Sequence, residues 1–274
     1  MFLRAAGAGL FAAPSLPGEV KIGVTDWNLR QTGNVEAVSL AKRLGFDGVE
    51  ISLGRKVSGG KLPLDDGAVQ QRYLDALNDH GIAAAGTCLD VLHVNYLKND
   101  RLGEKWIAHG IPITKKLNAR VMLLPFFGKG ALTTRAEMER VGDALRELAP
   151  EAEKAGVTLG LEDTISAEDN VRIMDRAGSK AVLVYYDVGN STNNGFDPVA
   201  EIRWLGASRI CQIHLKDNPH YLGEGKIDFP AVMKVIADTG FRGFANLETS
   251  APSKSIEKDM ARNLAFVRGL MAKA

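Results

Sequence analysis

The chain has 274 residues, 34 basic against 33 acidic side chains and a net charge of +1 at pH 7. That balance gives no strong field for gathering nucleic acid or an anionic membrane surface, and no apolar run reaches the ~18 residues of a membrane span. At 45% hydrophobic it can build one large core or two small ones, and its two cysteines, Cys88 and Cys211, sit in apolar strand-like runs and read as reduced buried thiols, not a disulfide framework.

Residues 1–18 read as a signal-like or disordered leader outside the fold. Arg4 is followed by a short Ala/Gly/Leu/Phe stretch and then by small residues and prolines. The stretch resembles the segment just after the arginine pair of a twin-arginine signal, although the pair itself is missing. With such a signal the protein is exported to the periplasm; without it the protein is cytoplasmic.

Residues 19–274 form one domain in which a single pattern repeats eight times: a short β-rich run, a loop, an amphipathic helix and often a glycine. The runs are Val20–Thr25, Asp47–Ser52, Ile82–Cys88, Arg120–Leu124, Val157–Leu161, Ala181–Tyr186, Ser208–Ile213 and Gly243–Leu247. Helices are expected over 34–44, 66–80, 101–117 and 135–155. Later ones start at Ser166-x-x-Asp169, Asp197-Pro198 and Asp228, and the last spans 256–271. Thr134-x-x-Glu137 reads as a capping box, Asp197-Pro198 as an N-cap with proline in the first turn, and the glycines as left-handed C-caps. His80 and His109 each precede a glycine read as ending a helix. Short apolar strands alternating with helices argue for parallel βαβ units. Eight of them, none edge-like, predict a closed (β/α)8 TIM barrel.

Active sites of such barrels lie at the C-terminal ends of the strands. Four successive runs there deliver Glu162, Asp187, His214 and Glu248, each about one βα unit after the last. Singly, such a carboxylate reads as an N-cap or a surface group, and a lone histidine as structural. Together, three carboxylates converging on a half-buried mouth repel one another and lose hydration, and a divalent cation offsets that charge. The oxygen-rich set with one imidazole and no thiolate favours Mn²⁺ foremost, or Mg²⁺ or Co²⁺, over structural Zn²⁺. Two positions stay open for a bidentate substrate such as a hydroxy-ketone.

The segments Leu161-Glu162-Asp163, Asp187-Val188-Gly189-Asn190, His214-Leu215-Lys216-Asp217, Gly223-Glu224-Gly225-Lys226-Ile227-Asp228-Phe229 and Leu247-Glu248 resemble the xylose isomerase-like sugar isomerase/epimerase superfamily, and the resemblance runs from residue 20 onward. It implies that Glu162, Asp187, His214 and Glu248 hold the metal. It also implies that Glu162 and Glu248 are the catalytic pair, shuttling a proton through a metal-bound enediolate. The expected substrate is a small carbohydrate. Candidate substrate-binding residues are Lys216, His220, Asn190, Trp27, His93 and Glu50. Lys216 reads equally as a neutraliser of the enediolate oxygen or as a carboxylate's partner. His220 stands where epimerases of the family place a basic residue. Asn190 replaces the histidine of free-ketose epimerases, which argues against that substrate class. Trp27 and Phe126 are candidates for the floor of the pocket, and the loop 54–60, with Arg55 and Lys56, for a lid. A keto-sugar or keto-glycoside lyase on the same site is the alternative reaction, and a carbohydrate-binding barrel without catalysis the alternative to an enzyme. The apurinic endonucleases of this fold need a histidine-rich multi-zinc site and a basic groove, which five histidines and a charge of +1 do not supply. Homo-oligomer formation stays open.

Overall fold

In the computed structural model residues 20–272 are described; the leader expected over residues 1–18 lies outside them. Eight parallel strands close in sequence order. They are β1 (Lys21–Thr25), β2 (Gly48–Ser52), β3 (Ala83–Cys88), β4 (Val121–Pro125), β5 (Thr158–Glu162), β6 (Val182–Asp187), β7 (Ile210–Leu215) and β8 (Phe244–Leu247). β1 pairs with β8 from Lys21↔Phe244 to Val24↔Leu247, so the sheet has no edge. The helices are α1 (Glu36–Leu44), α2 (Gly67–His80), α3 (Arg101–Lys116), α4 (Arg135–Ala155), α5 (Ala167–Ala177), α6 (Val188–Asn193), α7 (Pro198–Leu205), α8 (Phe229–Asp238) and α9 (Ile256–Met271). Among the described residues, no helix is long and apolar enough to cross a membrane.

The capping signals act as read. Thr134 and Glu137 form both bonds of a capping box, Ser166 accepts from the backbone of Asp169, and Asp197 caps α7 ahead of Pro198. His80 ends α2 before a left-handed Gly81. His109 does not end a helix: it lies inside α3 with Gly110. A Cβ on Gly110 would stand 2.5 Å from Met122 Sδ, so this glycine serves close packing of helix on barrel.

Strand alternation sorts the core. Met122 and Leu124 join the large cluster between barrel and helices. Val121 and Leu123 join a smaller cluster with Cys88 and Tyr185, against which Trp27 and Cys211 pack. Both cysteines are free. β5 and β6 extend one residue further than the sequence pattern suggests, and β7 two. Glu162 and Asp187 therefore end their strands, and His214 is the penultimate residue of its own.

Candidate active site

The four strand-end residues meet. One ligand atom each from Glu162, Asp187, His214 and Glu248 can be chosen so that all lie within 4.8 Å of one another. His214 Nδ1 faces the group, 3.0 Å from Glu162 Oε1, 3.6 Å from Glu248 Oε2 and 3.8 Å from Asp187 Oδ2. Asp187 divides its work between two oxygens. Oδ1 caps α6 by accepting from Asn190 N at 2.8 Å, and Oδ2 is buried with no hydrogen-bond partner. Lys216 Nζ stands 2.8 Å from that Oδ2, but off the hydrogen-bonding direction.

The electrostatics are those of a site built for a cation. Burial pushes the Asp187 carboxyl up to about 7, with Glu248 and Glu162 adding repulsion against the pull of Lys216. Burial also opposes charge on Glu248, but His214 and Lys216 outweigh it and hold its carboxyl down at about 2. For His214 and Lys216 burial works against the charged form, and the surrounding carboxylates raise both well above their ordinary values. The cluster thus draws positive charge from every group able to carry it. Three carboxylate donors, one imidazole and an orphaned buried oxygen fit a divalent ion.

These groups open into a cavity of about 520 Å³ lined by Trp27, Thr32, Arg55, Cys88, Asp90, His93, Leu123, Pro125, Phe127, Glu162, Asn190, Lys216 and Glu248. Trp27 Nε1 donates to Glu248 Oε1 at 3.0 Å, and Lys216 Nζ donates to Glu248 Oε2 at 2.5 Å. Asn190 Nδ2 reaches Glu162 Oε1 at 3.4 Å. His93 stacks on Phe127, with ring centroids 6.2 Å apart, and burial, aided by Arg55, lowers its pKa. Arg55 has no ion pair among the described residues.

Lys216, Asn190, Trp27 and His93 thus stand at the cavity as expected. Glu50 does not. β2 runs on to Ser52, so Glu50 sits two residues below the mouth, wholly buried. There its Oε2 lies 2.9 Å from His214 Nε2, on the ring edge turned away from the cavity. His220 is exposed and outside the cavity lining. Its loop folds back on Asp217, whose Oδ2 accepts from Gly223 N at 3.1 Å and Gly225 N at 2.8 Å. Phe126 points into the helix-facing core, and its neighbour Phe127 lines the cavity instead. Asp90 and Thr32 escaped the sequence reading, since Asp90 opens a short 3-10 helix and Thr32 lies in a loop, neither within a motif. The only signal for Asp90 was its place just past β3.

The motifs now have physical reasons. A Cβ on Gly189 would lie 2.4 Å from Lys216 Cγ, and one on Gly225 2.1 Å from Asp217 Oδ1. The first glycine admits the site lysine, and the second admits the carboxylate that folds the loop after β7.

Comparison with known proteins agrees. The family model described as xylose isomerase-like TIM barrel matches residues 38–270. A 2-epi-5-epi-valiolone 7-phosphate 2-epimerase of an Actinoplanes species is 27% identical over 203 residues, 73% of each chain. An L-ribulose-5-phosphate 3-epimerase of Escherichia coli is 25% identical over 272 residues, covering 88% of this chain and 90% of its own. The structure of 3-keto-D-glucoside 4-epimerase from E. coli superposes with a TM-score of 0.75 at 18% identity, over 92% of this chain and 100% of the other.

Proposed function

The chain belongs to the xylose isomerase-like TIM barrel family, and from that premise we propose that it is a divalent-metal-dependent epimerase or isomerase of a sugar or sugar derivative. The epimerase names of its relatives support the reaction class. The observation that carries the reading is the pairing of Glu162 and Glu248 at the mouth of one cavity, with Asp187 and His214 between them in strand order and all four within reach of a common ion.

Glu162, Asp187, His214 and Glu248 would hold the metal, for which Mn²⁺ is our assignment, and when bound it would supply Lewis-acid polarisation of a carbonyl beside the acidic C–H. The protein's own groups then move the proton. Glu248 lies beside the ammonium of Lys216 and faces the cavity, so its carboxylate is placed to take a proton from the carbon beside the carbonyl. Trp27 fixes one of its oxygens and Lys216 the other, which aims the carboxylate. Glu162, steadied by Asn190 and carrying a proton at the start of the cycle, gives that proton to the opposite face for epimerisation, or to the neighbouring carbon for isomerisation as that carbon's hydroxyl proton passes to the former carbonyl oxygen; Glu248 ends the turnover protonated. The roles of the two glutamates exchange in the reverse direction. Each positioned acid or base contributes on the order of 10²–10⁴-fold.

The test is to incubate the Mn²⁺-loaded protein in D₂O with a panel of ketoses, ketose phosphates and 3-keto-glycosides. Deuterium bound to carbon in the epimeric or isomeric sugar is the expected result, and Glu162→Gln should abolish that product while sparing exchange on the face that Glu248 serves. Product formed by Glu162→Gln at the wild-type rate would remove Glu162 from its role. Release of an aglycone or an enone without epimer would make the enzyme a lyase.

A further inference from the structure

Beneath the four ligand atoms lies a second polar layer, inside the barrel, that the proposed proton transfers do not use. Its centre is Glu50. Tyr185 Oη donates to Glu50 Oε2 at 2.7 Å, and Asn246 Nδ2 stands 3.1 Å from the same oxygen. Asn246 Nδ2 also lies 2.7 Å from Tyr185 Oη and 3.3 Å from Gln212 Oε1, and Gln212 donates to the Ala85 carbonyl. Glu50, Tyr185, Gln212 and Asn246 are all buried.

The backbone is shaped to hold this layer. A Cβ on Gly23 would lie 2.0 Å from Asn246 Oδ1, one on Gly86 2.9 Å from Gln212 Oε1 and one on Gly160 3.1 Å from Tyr185 Cβ. Three glycines on alternate strands thus clear the space. Two ladders also slip register. The slips fall between Val49 and Glu50 in β2 and between Val184 and Tyr185 in β6. Such irregularities re-aim side chains and gather next to active sites. Both fall at residues that meet His214: Glu50 at Nε2, and Tyr185 with its ring centroid 4.5 Å from the imidazole's.

The layer is a poor device for stability. Glu50 Oε1 is buried without a partner, and an apolar filling of equal volume avoids that cost. Its geometry fits orientation instead. Glu50 Oε2 already accepts from the phenol of Tyr185, so its contact with His214 makes the imidazole the donor. When an ion displaces the proton from Nδ1, the ring proton that remains rests on Nε2, and the Nδ1 lone pair faces the space shared with Glu162, Asp187 and Glu248. We propose that Glu50, fixed by Tyr185, is a positioning residue that locks His214 in the Nε2–H tautomer and makes Nδ1 its metal-binding atom. Partners of this kind commonly set the affinity of a metal site. The inference rests on the metal-binding part of the proposed function and not on the sugar reaction.

Its test needs no substrate. Mn²⁺ dissociation constants are measured by chelator competition on the full chain and on its Glu50→Gln and Tyr185→Phe variants, with the thermal midpoint of each metal-free form. Two-bond ¹H–¹⁵N correlation on the Mg²⁺-loaded protein reports the His214 tautomer. Glu50→Gln should weaken Mn²⁺ binding about 10–100-fold. Tyr185→Phe, which keeps the ring and loses only the hydroxyl, should weaken it several-fold, and His214 should carry its proton on Nε2. A purely structural role would lower the thermal midpoints and leave the dissociation constants within twofold of wild type; that result, or a proton on Nδ1, overturns the proposal. Failure of the wild-type chain to bind Mn²⁺ overturns the metal reading as well. Tight binding with no deuterium exchange on any sugar sinks only the reaction.

Discussion

Asp26, just past β1, is wholly buried and ties its own loop to the end of β2. Its Oδ2 accepts from Gly33 N at 2.9 Å and Ser52 N at 3.0 Å, and its Oδ1 from Ser52 Oγ at 2.9 Å. Burial outweighs those bonds and, with repulsion from Asp90, pushes its carboxyl from 3.8 up to about 7. The folded state therefore holds a proton here that the unfolded chain releases above pH ~4. Between those values the folded state binds more protons, so this residue's contribution to stability is full below pH ~4 and is lost as the pH rises to about 7, by up to ~4 kcal/mol. Asn mimics the protonated acid, accepting both backbone bonds and donating to Ser52. Asp26→Asn should thus flatten the fall in unfolding free energy between pH 5 and 8 and be no less stable than wild type at pH 8; parallel profiles would refute the assignment. Asp217 is the opposite case. It works by accepting two backbone bonds, and Asp217→Ala should cost about 1.5–3 kcal/mol in denaturant unfolding. A loss below ~0.5 kcal/mol would show that the loop after β7 does not depend on it.

The short helix α6 couples two ligand strands. Asp187 ends β6 and caps α6 with one oxygen, and Gly189 in its first turn leaves room for Lys216 from just beyond β7. Alanine favours a helix more than glycine, yet at 189 its Cβ would press on both Lys216 Cγ and, at 3.0 Å, the Lys216 carbonyl. Gly189→Ala should keep the circular dichroism of the wild type, cost about 1–3 kcal/mol and lower kcat at least tenfold by pushing Lys216 off Asp187 and Glu248. Unchanged kcat would mean that the lysine is not needed where it stands. The same element marks what could be read in the sequence. Periodicity and caps placed the barrel strands and the long helices, and strand ends announced the four side chains that cluster at the mouth. α6, six residues long, has too few turns for a periodic pattern. Phe126 was misread for its neighbour because one residue reverses a strand's facing. Glu50 was placed at the rim because a register slip leaves no mark in composition, although the run Asp47–Ser52 already extended two residues past it. His220 sits where resemblance put a basic residue, but the fold of the loop around Asp217 turns it outward.

At the scale of the whole barrel, closure forces Glu162, Asp187 and Glu248 together over Glu50, with Lys216 the one ammonium among them. Packing alone would scatter such charges; here the fold holds them, and its stability must depend on what neutralises them. A metal that binds the folded chain and not the unfolded one adds about 2.7 kcal/mol at a hundred times its dissociation constant, or about 5–10 °C in a domain of this size. Calorimetry should therefore show Tm rising by that amount on adding Mn²⁺ to chelator-treated protein at pH 8. The increment should shrink toward pH 5, because burial has pushed Asp187 up to about 7 and protons then compete with the ion for its oxygens. Asp187→Asn separates this from general salt effects. It removes a ligand and one repelling charge together, so the metal-free Tm should rise or hold while the Mn²⁺ increment collapses. An equal increment in wild type and Asp187→Asn would place the ion somewhere other than the mouth of this barrel.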